Sequence, residues 1–224
     1  EKAYDRFLRG RNGKIQYESD LWGYLLPNKK EMVKEPKNGD NIYLTIDSKI
    51  QVFLEDALNT VEKEYNPSKI LAVVADPKTG KILAMGQRPS FDPGSREGLS
   101  DNWRNEIVES AYEPGSVMKI FTLAAAVEEG VFSPNATYKS GSYKVGTSVI
   151  RDHNDGVGWG TITYLEGVQR SSNVAFVHLL DKMGADTFRE YLDRFRFGKK
   201  TGIELPDEAS GNILYRYPVE KAKI

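Results

Sequence analysis

An α+β domain is predicted from three observations. Strand-like runs gather in the first half of the chain, helix-like runs in the second, and no strand–helix–strand repeat dominates. With 224 residues, 39% hydrophobic and 28% charged, the chain can bury a core in one main domain and carry a smaller appendage. Residues 1–38 are rich in Lys, Arg, Gly and Asn, with short apolar pieces such as Leu21-Trp22-Gly23-Tyr24-Leu25-Leu26, and read as strands and turns without a core of their own. Turn formers in Lys34-Glu35-Pro36-Lys37-Asn38-Gly39-Asp40 mark a boundary. Ile42-Tyr43-Leu44-Thr45-Ile46 alternates like a strand, and Asp47 or Ser48 caps a helix running to Tyr65. Its apolar face is Ile50, Phe53, Leu54, Ala57, Leu58 and Val61. Residues 70–75 and 81–86 form a hairpin across Asp76-Pro77-Lys78-Thr79-Gly80. After a turn-rich segment to Pro114, residues 117–129 are apolar on nearly every side, the pattern of a helix buried all round. A Gly-rich stretch over 141–160 precedes helices at 164–170, 174–183 and 186–195.

Composition excludes several function classes. Lys plus Arg number 31 and Asp plus Glu 32, so no net field favours nucleic acid or an anionic membrane. Cysteine is absent, which removes disulfides, thiol catalysis and thiolate metal sites. Only two histidines occur, His153 and His178, so acyl-transfer chemistry is expected to use Lys as its base. No metal-ligand spacing, phosphate loop or basic stripe is present, so no metal, cofactor or nucleic-acid partner is expected. No run of about 18 apolar residues occurs. The first residues lack a signal-peptide pattern, so a membrane anchor would have to lie outside this sequence.

The sharpest motif is Glu113-Pro114-Gly115-Ser116-Val117-Met118-Lys119, which sets a Ser at the start of the apolar helix and a Lys three residues on, along the same face. A hydroxyl needs a base to become a nucleophile, and an amine serves as that base only when burial lowers its pKa. Lys119 lies among Val117, Met118, Ile120, Phe121 and Leu123, and Ser116 lies where a helix N-terminus and its own N–H favour a developing oxyanion. A capping Ser and a solvated Lys would give the same letters. Against that, this is the only Ser-x-x-Lys in the chain, and its Lys interrupts an apolar helix.

Two companion triplets, Ser-x-Asn and Lys-Thr-Gly, accompany Ser-x-x-Lys in one enzyme group. Ser-x-Asn occurs four times here, at Ser100, Ser133, Ser171 and Ser210. The literal Ser100-Asp101-Asn102 precedes Ser116 in a polar segment and reads as surface loop; Ser133-Pro134-Asn135 reads as a turn. Ser171-Ser172-Asn173 falls in a break between helices, where short polar side chains reach a cleft, with capping of the next helix as the alternative. Of the Lys-Thr-Gly copies, Lys78-Thr79-Gly80 reads as a hairpin turn and Lys200-Thr201-Gly202 as a loop.

These motifs, with Arg88-Pro89-Ser90-Phe91-Asp92-Pro93 and residues 197–208 in matching order, resemble class B penicillin-binding proteins over about residues 39–215. The resemblance implies the penicillin-binding protein or β-lactamase-like transpeptidase fold, a helical cluster plus an antiparallel sheet. It implies that residues 39–224 are the N-terminal part of the transpeptidase domain and residues 1–38 the end of a pedestal domain. It implies a peptidoglycan D,D-transpeptidase in which Ser116 attacks a D-Ala-D-Ala stem peptide, Lys119 takes its proton, Ser171 relays a proton to the leaving D-Ala, and Asn173 hydrogen-bonds the substrate or Lys119. β-Lactams would trap Ser116. Implied partners are a membrane glycosyltransferase and division or elongation proteins, at the outer face of a bacterial membrane. In the family the functional Lys-Thr-Gly strand comes after both copies here, so residues 1–224 alone are expected to react weakly or not at all. Alternatives are a D,D-carboxypeptidase, and a β-lactam-sensing or divisome scaffold domain without turnover. His153 is expected in a solvated loop or on the cleft rim, His178 in packed core, and Trp103 and Trp159 in flanking loops.

Overall fold

The computed structural model describes residues 2–213; residue 1 and residues 214–224, the outer ends of the two expected domains, lie outside the described residues. Two compact units emerge: residues 2–109 with 204–208, and residues 110–203 with 209–213.

The first unit begins with a single helical turn, α1 (Asp5–Leu8), and an antiparallel pair, β1 (Lys14–Ser19) and β2 (Leu25–Lys34). Every residue of β1 is exposed. Residues 42–46 do not join a ladder. The segment is instead hooked to the next hairpin, Asp47 N–H donating to Leu83 O at 2.8 Å and the Thr45 hydroxyl to Ile82 O at 2.6 Å. Asp47 caps α2 (Ser48–Tyr65), accepting from Lys49 N and Ile50 N, and Asn66 ends it in left-handed geometry.

The face of α2 that is covered differs from the expected stripe. Leu58 is fully buried, but Phe53 is 74% exposed and Val61 is also exposed. Gln51 explains the rotation, because its amide pairs both ways with the Met85 backbone, donating to O at 2.9 Å and accepting from N at 3.0 Å. That pairing turns the Gln51, Glu55 and Leu58 side toward β3 (Ile70–Ala75) and β4 (Ile82–Arg88), the expected hairpin. A Cβ on Gly86 would stand 2.7 Å from Leu58 Cδ1, so the close approach of helix and strand needs glycine. The hairpin turn is closed by Asp76, which accepts from Lys78 N and the Thr79 hydroxyl; Lys78-Thr79-Gly80 is thus turn chemistry, as read. Two one-turn helices follow, α3 (Leu99–Asn102) and α4 (Glu106–Glu109). Ser100-Asp101-Asn102 is therefore helical rather than loop.

The second unit holds the main core. A 3-10 turn (Gly115–Val117) leads into α5 (Met118–Glu128). The short strands β5 (Thr137–Lys139) and β8 (Thr161–Thr163) pair antiparallel, as do β6 (Ser142–Val145) and β7 (Ser148–Arg151). The β6–β7 hairpin lies inside the Gly-rich stretch 141–160, and β5 and β8 flank it, none of them read from the sequence. Helices α6 (Tyr164–Gln169), α7 (Asn173–Met183) and α8 (Ala185–Arg194) complete the unit, within two residues of the expected bounds.

Helix α7 is its centre: Val174, Ala175, Phe176, Val177, Leu179, Leu180 and Met183 are all buried. Its N-terminal part packs with Tyr138, Ile162, Tyr164 and Ala126, and its C-terminal part with Ala125, Phe188, Tyr191 and Leu192. Helix α5 contributes mainly small residues, Thr122, Ala125 and Ala126. Contrary to expectation it is not buried all round, since Ile120 is 66% and Val127 56% exposed, one helical face with Val117. Antiparallel strand pairs and a helical cluster thus make the α+β class read from the sequence.

Candidate active site

Gly115 has φ +57, and nothing lies within 4 Å of a Cβ placed there, so the requirement for glycine is conformational rather than steric. That backbone turn delivers Ser116 into the 3-10 turn before α5, not into the α-helix itself. Ser116 is exposed, and its hydroxyl has no hydrogen-bond partner among the described residues. Three residues on, Lys119 points inward and is half-buried.

Around Lys119 Nζ stand three oxygens: Asn173 Oδ1 at 2.6 Å, Ser171 O at 2.7 Å and Ser171 Oγ at 3.1 Å. The Phe176 ring lies 5.5 Å from Nζ on a further side. Burial pushes the Lys119 pKa below its ordinary value, and the negative charge of Asp152 opposes that shift. The amine is accordingly easier to deprotonate than a solvated lysine.

Ser171, Ser172 and Asn173 bridge α6 and α7. Ser171 adopts φ +52, a left-handed backbone that costs a residue with a Cβ about 1–2 kcal/mol. This turn aims both its carbonyl and its hydroxyl at Lys119. Ser172 is fully buried and caps α7, its hydroxyl accepting from Ala175 N at 3.1 Å. The capping alternative read from the sequence therefore applies to Ser172, which leaves Ser171 and Asn173 turned to Lys119. Asn173 has one orientation that satisfies both ends of its amide: Oδ1 accepts from Lys119, and Nδ2 donates to Arg151 O at 2.7 Å. Of the four residues singled out from the sequence, Lys119, Ser171 and Asn173 are hydrogen-bonded together, and Ser116 stands one turn away on the lysine's own helical segment.

One polar residue of the site escaped the sequence reading. Asp152 is only 2% exposed and accepts three hydrogen bonds, from Gly141 N at 2.7 Å, the Ser172 hydroxyl at 2.8 Å and Val174 N at 3.1 Å. It sits at the N-terminus of α7, where the helix dipole favours a negative charge. In the sequence it stands inside Arg151-Asp152-His153-Asn154-Asp155, which looks like a solvated charge run. Glycine at both strands of a nearby crossing was the one available hint. A Cβ on Gly158 would lie 2.5 Å from the Gly141 backbone, so two chain segments meet there, beside the Gly141 N–H that donates to Asp152.

His153 is exposed, as expected, but hydrogen-bonded to Arg170 O at 3.0 Å and ring-packed with Trp159. His178 is packed beside the Tyr143 ring at 4.4 Å, and burial lowers its pKa, opposed by Asp181. Trp103 is exposed in the first unit. Lys200-Thr201-Gly202 lies outside any strand, as read. No cluster of His, Cys, Asp and Glu able to hold a metal ion occurs among the described residues.

A mixed α+β fold carrying a Ser and a Lys three residues apart, with a Ser-x-Asn facing that Lys, is the arrangement of the Ser-x-x-Lys class of domain. The chain belongs to the penicillin binding protein transpeptidase domain family, which matches residues 70–224. It is similar to stage V sporulation protein D of Bacillus subtilis, 38% identical over 99% of this chain and 34% of that protein. It is also similar to the peptidoglycan D,D-transpeptidase MrdA of Escherichia coli K12, 29% identical over 96% of this chain and 35% of that protein. The crystal structure of penicillin binding protein 2X from Streptococcus thermophilus superposes with a TM-score of 0.84 at 35% identity, covering 95% of this chain and 32% of the other. The class B resemblance and the transpeptidase fold read from the sequence are thereby borne out. The chain spans about one third of the length of these relatives. No helix among the described residues is long and apolar enough to cross a membrane.

Proposed function

We propose that this chain is part of a peptidoglycan D,D-transpeptidase that works through an acyl-enzyme on Ser116. The observation that carries this reading is the Lys119 amine, half-buried with a lowered pKa and fixed by Ser171 and Asn173 one helical turn from an uncommitted serine hydroxyl. Ser116 Oγ attacks the carbonyl carbon of the peptide bond in a D-Ala-D-Ala stem terminus while Lys119 Nζ takes the hydroxyl proton. Collapse of the tetrahedral intermediate breaks the C–N bond. The departing D-Ala amine takes a proton through the Ser171 hydroxyl, which donates one and accepts another from Lys119. An amine of a neighbouring stem peptide then attacks the ester, forming the cross-link and returning Ser116 to its hydroxyl form. A β-lactam ring acylates Ser116 by the same route.

In this reading residues 1–38 end a pedestal domain and residues 39–224 begin the transpeptidase domain. The protein works at the outer face of a bacterial membrane, held by an N-terminal helix outside this sequence, beside a glycosyltransferase and the division or elongation machinery. A fluorescent penicillin tests the assignment. The intact protein is expected to label and its Ser116→Ala variant to stay dark; equal labelling of both, or of neither, defeats it. Residues 1–224 alone are expected to label weakly or not at all.

A further inference from the structure

Ser171 is held in a backbone geometry that a serine does not choose, so something must over-determine it. Part of the restraint is the C-cap of α6, where Ser171 N donates to Val168 O at 3.0 Å and Ser172 N to Gly167 O at 2.8 Å; the rest comes from three consecutive residues at the end of β7. Arg151 O accepts from Asn173 Nδ2 at 2.7 Å. Asp152 Oδ1 accepts from the Ser172 hydroxyl at 2.8 Å and from Val174 N at 3.1 Å. His153 Nε2 meets Arg170 O at 3.0 Å, and because a carbonyl only accepts, that nitrogen carries the proton. Arg151 thus meets residue 173, Asp152 residues 172 and 174, and His153 residue 170. Ser171 is the residue of that segment not bonded to these three, and it faces Lys119 together with Asn173.

We propose that Arg151-Asp152-His153 is a positioning brace for the acyl transfer, clamping residues 170–174 on both sides of Ser171 so that its two oxygens and Asn173 Oδ1 converge on Lys119. Asp152 and His153 are its positioning residues; neither is hydrogen-bonded to Lys119 or Ser116 among the described residues. A second set of contacts steadies the outer end. The Trp159 ring packs against His153 at 5.4 Å and under the Arg170 guanidinium at 5.3 Å, while Arg170 Nε donates to Glu166 at 2.8 Å. The inner end is anchored because Asp152 Oδ2 also accepts from Gly141 N at 2.7 Å, tying the brace to the base of the β6–β7 hairpin. Asp152 has a second influence, since its charge is the one that holds the Lys119 pKa up against burial.

This proposal rests on the reading of Ser116 and Lys119, and its test separates the two. In the intact protein, the rate of acylation by a fluorescent penicillin is measured for His153→Ala, His153→Gln and Asp152→Asn. His153 is exposed, so His153→Ala is expected to melt at the parent's temperature yet acylate about 10-fold more slowly, the scale of a small misplacement in a site. His153→Gln keeps an N–H for Arg170 O and is expected to recover most of the rate. Asp152→Asn removes the charge that favours the protonated amine, so the rising limb of its acylation rate against pH is expected to move to lower pH. A purely structural role would lower the rate at every pH and leave the limb in place. Parental acylation by His153→Ala, or an unmoved limb in Asp152→Asn, overturns the brace while leaving Ser116 intact as nucleophile. If the Ser116 reading itself fails, amide hydrogen exchange over residues 170–175 still decides: faster exchange there in His153→Ala supports the clamp, and unchanged exchange overturns it.

Discussion

Two of the chain's Ser-x-Asn triplets adjoin helices, one lying on α3 and one leading into α7, and only the second is built into the core. In Ser100-Asp101-Asn102 the serine hydroxyl donates to its exposed neighbour Asp101 at 3.0 Å and Asn102 reaches a single backbone oxygen, Ser90 O, at 3.4 Å. In Ser171-Ser172-Asn173 each side chain is engaged at 3.1 Å or less: Ser171 and Asn173 on Lys119, Ser172 on Asp152 and the α7 backbone. The first triplet follows a glycine in left-handed geometry and lies on a helix of four residues. The second forces a serine itself into that geometry and opens a helix whose body is the core. What separates them is the backbone that carries each triplet and the depth of the helix behind it, not their letters.

That contrast can be broken at several points. The largest expected effect is at the shared partner: Lys119→Ala should lower the acylation rate of the intact protein by about 10²–10⁴-fold, the range for loss of a positioned base. A loss under 10-fold would place the base elsewhere. Ser171→Ala and Ser171→Gly both remove the hydroxyl and should slow acylation. Gly pays no penalty for φ +52, however, so the Gly variant should melt no lower than the Ala variant. Ser172→Ala removes a helix cap and leaves Asp152 short of a donor, which should cost about 2–4 kcal/mol of stability, seen in denaturant unfolding. Ser100→Ala should change neither acylation nor melting beyond about 0.5 kcal/mol, as for ordinary surface positions. A loss of activity there would show that the two triplets are not so different.

The pH dependence sharpens the same comparison. Burial disfavours the charged amine of Lys119, so the neutral base is present at lower pH than for a solvated lysine. Acylation should rise with pH and level off below the usual lysine range. A midpoint at the ordinary lysine value would mean that the cradle does not tune the amine.

Much of this was legible beforehand because it is local. The Asp47 cap, the Asp76 turn, and the bounds of α7 and α8 are set by residues within a few positions of one another. Lys119 stood out because a charge interrupts an apolar helix. What escaped depends on long-range pairing. Residues 42–46 lacked a ladder partner, and the exposed faces of α2 and α5 depend on which elements pack against them. Asp152 hides for the same reason: three of its donors come from Gly141, Ser172 and Val174, at least eleven positions away, and no spacing announces them.

The unequal burial of α5 and α7 has a mechanical meaning. A buried Val, Leu, Phe or Met side chain is worth about 1.5–3 kcal/mol, and a buried methyl group well under half of that. Helix α7 fully buries six such large side chains and one Ala, whereas α5 fully buries two alanines and a threonine and packs Met118, Phe121 and Leu123 only partly buried. The two halves of the site therefore differ in stiffness. Asn173 rides on the rigid wall, and Ser116 and Lys119 ride on the compliant one. Under the proposed acylation of Ser116, the yielding is expected on the side of α5, while Asn173 stays where the core has fixed it.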